Sequence, residues 1–145
     1  MNDPYELLLL ENQLCFPTYA AANKIIRRYQ PLLKDLDLTY TQYLVMMVLW
    51  ERKTVREKDL VACLYLKANT LAPLLKKLTA KGYLAIVRDP TDKRNIIISL
   101  TDAGDRLKER AVHVPKTLAE EPWFTDEEAQ IYRKLLYKIL NDGKE

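Results

Sequence analysis

Two kinds of residue in this chain carry reactivity: a cysteine near the amino-terminal end and a run of cations in the middle. Cys15 lies within Glu11-Asn-Gln-Leu-Cys-Phe16. A thiol attacks peroxide oxygen only as the thiolate, so a sensing role needs partial ionisation and access. Tyr19 follows one helical turn later, and its hydroxyl can donate a hydrogen bond that favours charged sulfur. The plainer role for a cysteine among apolar neighbours is a small buried hydrophobe, and both roles stay open at this point. Cys63, within Leu60-Val-Ala-Cys-Leu64, reads as core packing and not as a resolving thiol. His113 is the one histidine and the two cysteines are 48 positions apart. That spacing makes no zinc motif, and neither metal nor cofactor is expected.

The cations are concentrated. Residues 52–94 hold eleven Lys and Arg against four acids, a net +7, which leaves −4 for the rest of a chain whose total is +3. A polyanion is the simplest partner for such a middle, with plain solubilisation of helix faces as the alternative. Within it, Leu71, Leu74, Leu75 and Leu78 form one helical stripe, leaving Asn69, Thr70, Ala72, Pro73, Lys76 and Lys77 on the other face. Small and polar residues near the start of such a helix can approach base edges, and the lysines one turn later can reach phosphates. Further on, Asp92-Lys93-Arg94 ends a polar tip. An arginine on a finger suits a narrow minor groove, and a carboxylate two residues away can hold its guanidinium.

Elements that position these residues follow from periodicity and caps. Residues 5–36 read as a helical stretch interrupted by Pro17 and Pro31, with Pro17 either beginning a helix or kinking one. Thr39 to Gln42 has capping-box spacing ahead of Tyr43–Trp50, an apolar run that predicts the most buried helix. Thr54 to Glu57 repeats the capping spacing and predicts a short helix to about Tyr65. The next helix starts at Asn69 or a neighbour, and Gly82 closes it. Tyr83–Arg88 and Asn95–Leu100 are rich in β-branched residues and predict a hairpin with a charged turn. Thr101 caps a helix to about Ala119, bent at Pro115. Thr125 to Glu128 opens the last helix, to about Leu140, with Phe124 and Ala129 placed as a hydrophobic staple.

The fold class is therefore mainly α with a small β-hairpin: a winged helix-turn-helix over residues 37–100, in one compact domain overall. Residues 1–36 and 101–145 form a helical dimerisation region, because apolar stripes such as Ile131, Leu135, Leu136, Ile139 and Leu140 exceed what the small central module can cover. The chain of 145 residues is long enough to bury a core without disulfides. Its longest apolar run, Tyr43–Trp50, is too short to cross a bilayer, and the start lacks the basic residues of a secretory signal, so a cytoplasmic location is expected. Phosphate-binding glycine loops, metalloprotease helices and nucleophile elbows are all missing, which argues against an enzyme.

The blocks Thr39-Tyr-Thr-Gln-Tyr-Leu44, Thr70-Leu-Ala-Pro-Leu-Leu-Lys-Lys-Leu78 and Arg88-Asp-Pro-Thr-Asp-Lys-Arg94, in this order and spacing, resemble the MarR family of bacterial repressors. That resemblance implies an interlocked homodimer on a pseudo-palindromic duplex DNA operator, with Arg94 in the minor groove and Asp92 as its anchor. The Glu11–Phe16 segment further resembles the organic-hydroperoxide-sensing, OhrR-type branch. By that resemblance Tyr19, Tyr29 and Tyr40 surround the thiol of Cys15, whose oxidation to a sulfenic acid releases the DNA. Tyr29 and Tyr40 must then arrive through the fold, from the same or the partner subunit. Lys67 stands where the family pattern would place an acidic cap.

Four readings of function compete. A peroxide-released repressor depends on Cys15. A second keeps the DNA binding and substitutes a small aromatic or phenolic ligand as the trigger, in a pocket lined by aromatic residues. A thiol peroxidase would need a resolving cysteine or a reductase site that the chain does not plainly offer. A protein-interaction module would turn Lys76, Lys77 and Arg94 toward an acidic surface.

Overall fold

The computed structural model describes residues 3–143. Residues 1–2 and 144–145, the outermost positions of the segments assigned to dimerisation, lie outside the described residues. The chain divides into two compact units between Val112 and His113.

The first unit opens with two short 3-10 turns, Pro4–Leu8 and Leu10–Asn12, and then helix α1, Cys15–Lys34. The expected break at Pro31 is absent, since Pro31 lies inside α1. Pro17 lies in the first turn of α1, where a missing N–H costs nothing, so it begins a helix and does not kink one. Helix α2, Tyr40–Arg52, starts at the predicted capping box: Gln42 N–H donates to Thr39 Oγ1 at 3.3 Å and Thr39 N–H to Gln42 Oε1 at 3.0 Å. It is the buried centre of the unit, with Val45, Met46 and Leu49 at 0% exposure.

Strand β1, Thr54–Arg56, follows, then helices α3, Glu57–Leu64, and α4, Ala68–Ala80, strands β2, Leu84–Arg88, and β3, Ile96–Leu100, and helix α5, Asp102–Ala111. β1 corrects the expectation that Thr54 caps a helix. β3 lies between β1 and β2, both antiparallel to it, so the sheet is a third strand richer than the hairpin. Val55 pairs with Ile98, both buried, and this cross-strand contact outweighs the capping option. Helix-turn-helix plus three-stranded wing is a winged-helix fold. Its core gathers Leu60, Leu71, Leu78 and Ile98, fully buried, against α2.

Two tight points close the unit. Trp50 Nε1 donates to Gly104 O at 2.8 Å, tying α2 to α5. A Cβ at Gly104 would collide with the Tyr83 carbonyl oxygen and come within 2.8 Å of Leu100 Cδ1, so only glycine lets α5 lie this close to the sheet.

The second unit holds helices α6, His113–Glu120, and α7, Asp126–Leu140. The helix expected from Thr101 to Ala119 is broken at Val112 instead of bent at Pro115. Pro115 has no N–H for the Ala111 carbonyl four residues back and its ring crowds it. α7 begins at the predicted Thr125–Glu128 capping box. Phe124 stacks on Tyr132, with ring centroids 5.1 Å apart, so the staple closes on a ring one turn beyond Ala129. Among the described residues no helix is long and apolar enough to cross a membrane.

Candidate nucleic-acid interface and thiol site

α4 presents two faces. Leu71, Leu75 and Leu78 are buried, while Asn69, Thr70, Ala72, Pro73, Lys76 and Lys77 are all exposed, as the stripe predicts. Lys67 occupies the cap position without a side-chain hydrogen bond, since an ammonium cannot accept one. Pro73 sits inside the helix and cannot donate to the Asn69 carbonyl.

Beyond β2 the tip of the wing organises itself. Asp89 Oδ1 accepts from Thr91 N–H at 2.9 Å and from Thr91 Oγ1 at 2.7 Å, and these bonds hold its carboxyl below the usual carboxylate range. Arg88 donates to the Lys93 carbonyl at 2.9 Å. Arg94 pairs with Asp92, Nε to Oδ1, at 3.0 Å. The Arg94 side chain, then its N–H, hold the Asp92 carboxyl below its usual range. Lys93 is exposed between them.

Two further cations belong to this surface. Arg56 and Lys58 line a hollow of about 380 Å³ with Glu57, Ala68, Arg94 and Asn95, so the start of α3, the start of α4 and the wing converge. Three cations against the one carboxylate of Glu57 leave the hollow net positive, which suits a phosphate oxygen. Their signal in the sequence was only membership of the basic segment. Which cations of that segment share a hollow depends on strand pairing.

The thiol residues are not brought together within one chain. Cys15 is the exposed first residue of α1, and Tyr19, one turn on, is 69% exposed. Tyr29 lies fourteen residues along the same unbroken helix, about 21 Å up its axis at 1.5 Å per residue. There it meets Tyr40 at 4.9 Å and Tyr43 at 6.0 Å between ring centroids. Burial is the leading cause that raises the pKa of all three, so their hydroxyls stay protonated donors. Cys63 is exposed, not core, and Arg52 Nη2 approaches its sulfur to 3.7 Å. Helix α3 turns its Leu60 face inward instead. Among the described residues no cluster of His, Cys, Asp and Glu could hold a metal.

The profile of the family described as "Transcriptional regulator SarA/Rot" matches residues 27–111. The organic hydroperoxide resistance transcriptional regulator of Bacillus subtilis (strain 168) is 38% identical over 140 residues, 97% of this chain and 95% of that protein. The chain belongs to the MarR family of winged-helix transcriptional regulators. The SarZ regulator of Staphylococcus saprophyticus is 38% identical to this MarR-family chain over 91% of it and 90% of the relative. Among solved structures, that of reduced AbfR bound to DNA, a Staphylococcus epidermidis protein, superposes with a TM-score of 0.80 at 32% identity, over 96% of this chain and 98% of that one. A disulfide form of AbfR is also similar, with a TM-score of 0.67 over 92% and 95% of the two chains. Family membership makes this chain a MarR-type DNA-binding regulator.

Proposed function

We propose that this regulator is a homodimeric repressor that grips operator DNA with α4 and the wing and lets go when an organic hydroperoxide oxidises Cys15. The observation that carries the reading is the separation along α1. One copy keeps its exposed thiol and its half-buried Tyr29–Tyr40 pair about 21 Å apart. A second copy can bring its tyrosines to the first copy's thiol, so the sensor is built between subunits. Each compact unit also has an apolar surface that suits a second copy: Leu7, Leu8 and Leu14 in the first, Ile131, Leu135 and Ile139 in the second, all more than half exposed. The relatives named for organic hydroperoxide resistance and for reduced and disulfide states support the same trigger.

The chemistry balances. Thiolate sulfur attacks the terminal peroxide oxygen, the O–O bond breaks, and the alkoxide leaves as an alcohol after taking a proton. Cys15 becomes a sulfenic acid. A small thiol then displaces water to give a mixed disulfide. Tyr29 and Tyr40 hydroxyls, kept protonated by burial, stabilise the thiolate by donating to it. The regulator works on duplex DNA in the cytoplasm, with no cofactor.

Anisotropy titration of duplex DNA with and without cumene hydroperoxide, followed by intact mass, tests this. Cys15→Ser should bind as the parent does and fail to release. Release that persists in Cys15→Ser sinks the redox trigger.

One observation favours the ligand-triggered reading. An open hollow of about 700 Å³ is lined by Tyr40, Ile26, Leu33, Lys34, Asp37 and Lys77, a size suited to a small aromatic ligand. Release by such a compound in the absence of oxidant distinguishes the two.

A further inference from the structure

The N-terminal end of α4 has no side-chain cap, yet its C-terminal end is held firmly. Gly82, at φ 83°, closes the helix: Tyr83 N–H donates to Leu78 O at 3.1 Å and Gly82 N–H to Thr79 O at 2.9 Å. Lys81 then reaches away from its own helix. Its ammonium donates to the Asp37 main-chain carbonyl. It also lies 3.4 Å from the Asp37 carboxylate and 3.5 Å from Gln42 Oε1. The lysine side chain is 27% exposed, so its stem is laid against protein.

It grasps the turn that joins α1 to α2. Asp37 there has a left-handed backbone, φ 53°, which aspartate tolerates better than most side chains. Gln42 is 3% exposed and already accepts from Thr39 N–H, so one amide oxygen serves both the start of α2 and the end of α4. From α5, Arg110 donates to the Asp35 carbonyl of the same turn. Two cations thus grip one short turn.

The geometry points to Lys81 as a positioning residue for DNA recognition, fixing the C-terminal end of α4 against the α1–α2 turn without itself touching DNA. Its ammonium is directed at the Asp37 carbonyl, with the Asp37 carboxylate and Gln42 Oε1 within 3.5 Å, so its charge is met inside the protein. Lys76, by contrast, stands exposed on the outer face, while Lys77 is exposed and also lines the hollow beside Lys81. The inference rests on the reading that this face meets the duplex.

The test uses a duplex enriched by the wild-type protein from random-sequence DNA, titrated at several salt concentrations. Lys81→Met keeps the stem and removes the donors. Affinity should fall about fivefold, the scale of one charged hydrogen bond in a partly solvated place. The slope of log affinity against log salt should not change, and Lys81→Arg should restore most of the binding. A slope smaller by about 0.9 marks a lost phosphate contact and overturns the proposal, as does an unchanged affinity. A lower melting temperature with unchanged affinity per folded protein overturns it too. If Lys81→Met does not fold, Asp37→Asn, which removes only the carboxylate partner, must show a smaller loss at constant slope, and no loss overturns the proposal. Lys76→Ala run alongside separates the failures. If it leaves both affinity and slope untouched, α4 does not face DNA and the recognition reading falls. A slope change there with no effect at Lys81 rejects Lys81 alone.

Discussion

Arg94 and Asp92 form a two-pronged pair: Nε meets Oδ1 at 3.0 Å and Nη2 meets Oδ2 at 3.2 Å. The Arg94 side chain is nevertheless 90% exposed. The guanidinium is therefore aimed by its neighbour and still largely exposed. An arginine ordered before DNA arrives loses less rotamer freedom when it enters a groove.

Arg94→Ala should weaken duplex binding by about 1–3 kcal/mol if the wing reaches a groove, and an unchanged affinity removes the wing from the interface. Asp92→Asn should cost a few-fold by loosening the aim. The Asp92 carboxyl is held below its usual range, first by the Arg94 side chain and then by the Arg94 N–H. A depressed carboxyl pKa adds stability above the unfolded value, about 3.9, and loses it only as pH falls through the still lower folded value. The ratio of wild-type to Asp92→Asn affinity should therefore stay constant from pH 5.5 to pH 8. A ratio that drifts over that range shows that the pair titrates there and refutes this account.

The intersubunit thiol site can be tested by complementation. In a heterodimer, one chain carries Tyr29→Phe with Tyr40→Phe and the other Cys15→Ser. If tyrosines act across the interface, the remaining Cys15 faces intact tyrosines and reacts with hydroperoxide as fast as wild type. If they act within one chain it faces phenylalanines, and stopped-flow oxidation should be slow. Phenylalanine keeps the tilted Tyr29–Tyr40 ring contact, so DNA affinity of the reduced protein should not move.

Gly104→Ala should destabilise the first unit by about 3 kcal/mol, because a rigid carbonyl, that of Tyr83, must give way. Urea denaturation followed by tryptophan fluorescence reads this directly, since Trp50 bonds to the Gly104 carbonyl. A variant as stable as the parent would mean that α5 sits farther from the sheet than described.

What was legible in the residues was whatever depends on neighbours in the chain. The Thr39 and Thr125 capping boxes, the leucine stripe of α4, the glycine stop at position 82 and the strand runs of the wing are settled by hydrogen bonds and side-chain periods spanning a few residues. They place α2, α4, α7 and the wing. They also predict which face of α4 stays outside.

Contacts across long stretches of chain decided the rest. Thr54-Val-Arg reads equally as a helix start or a strand until β3 lies beside it, more than forty residues later. Exposure of Cys63 depends on which side of α3 meets the core, and Tyr29 and Tyr40 become partners only because the turn after α1 folds α2 back along it. Lys81 is one lysine among many until Asp37 and Gln42 surround it. Local patterns carry backbone preferences of a few tenths to one kcal/mol per residue. Burial and pairing between distant segments outweigh them, and only the folded chain says which segments meet.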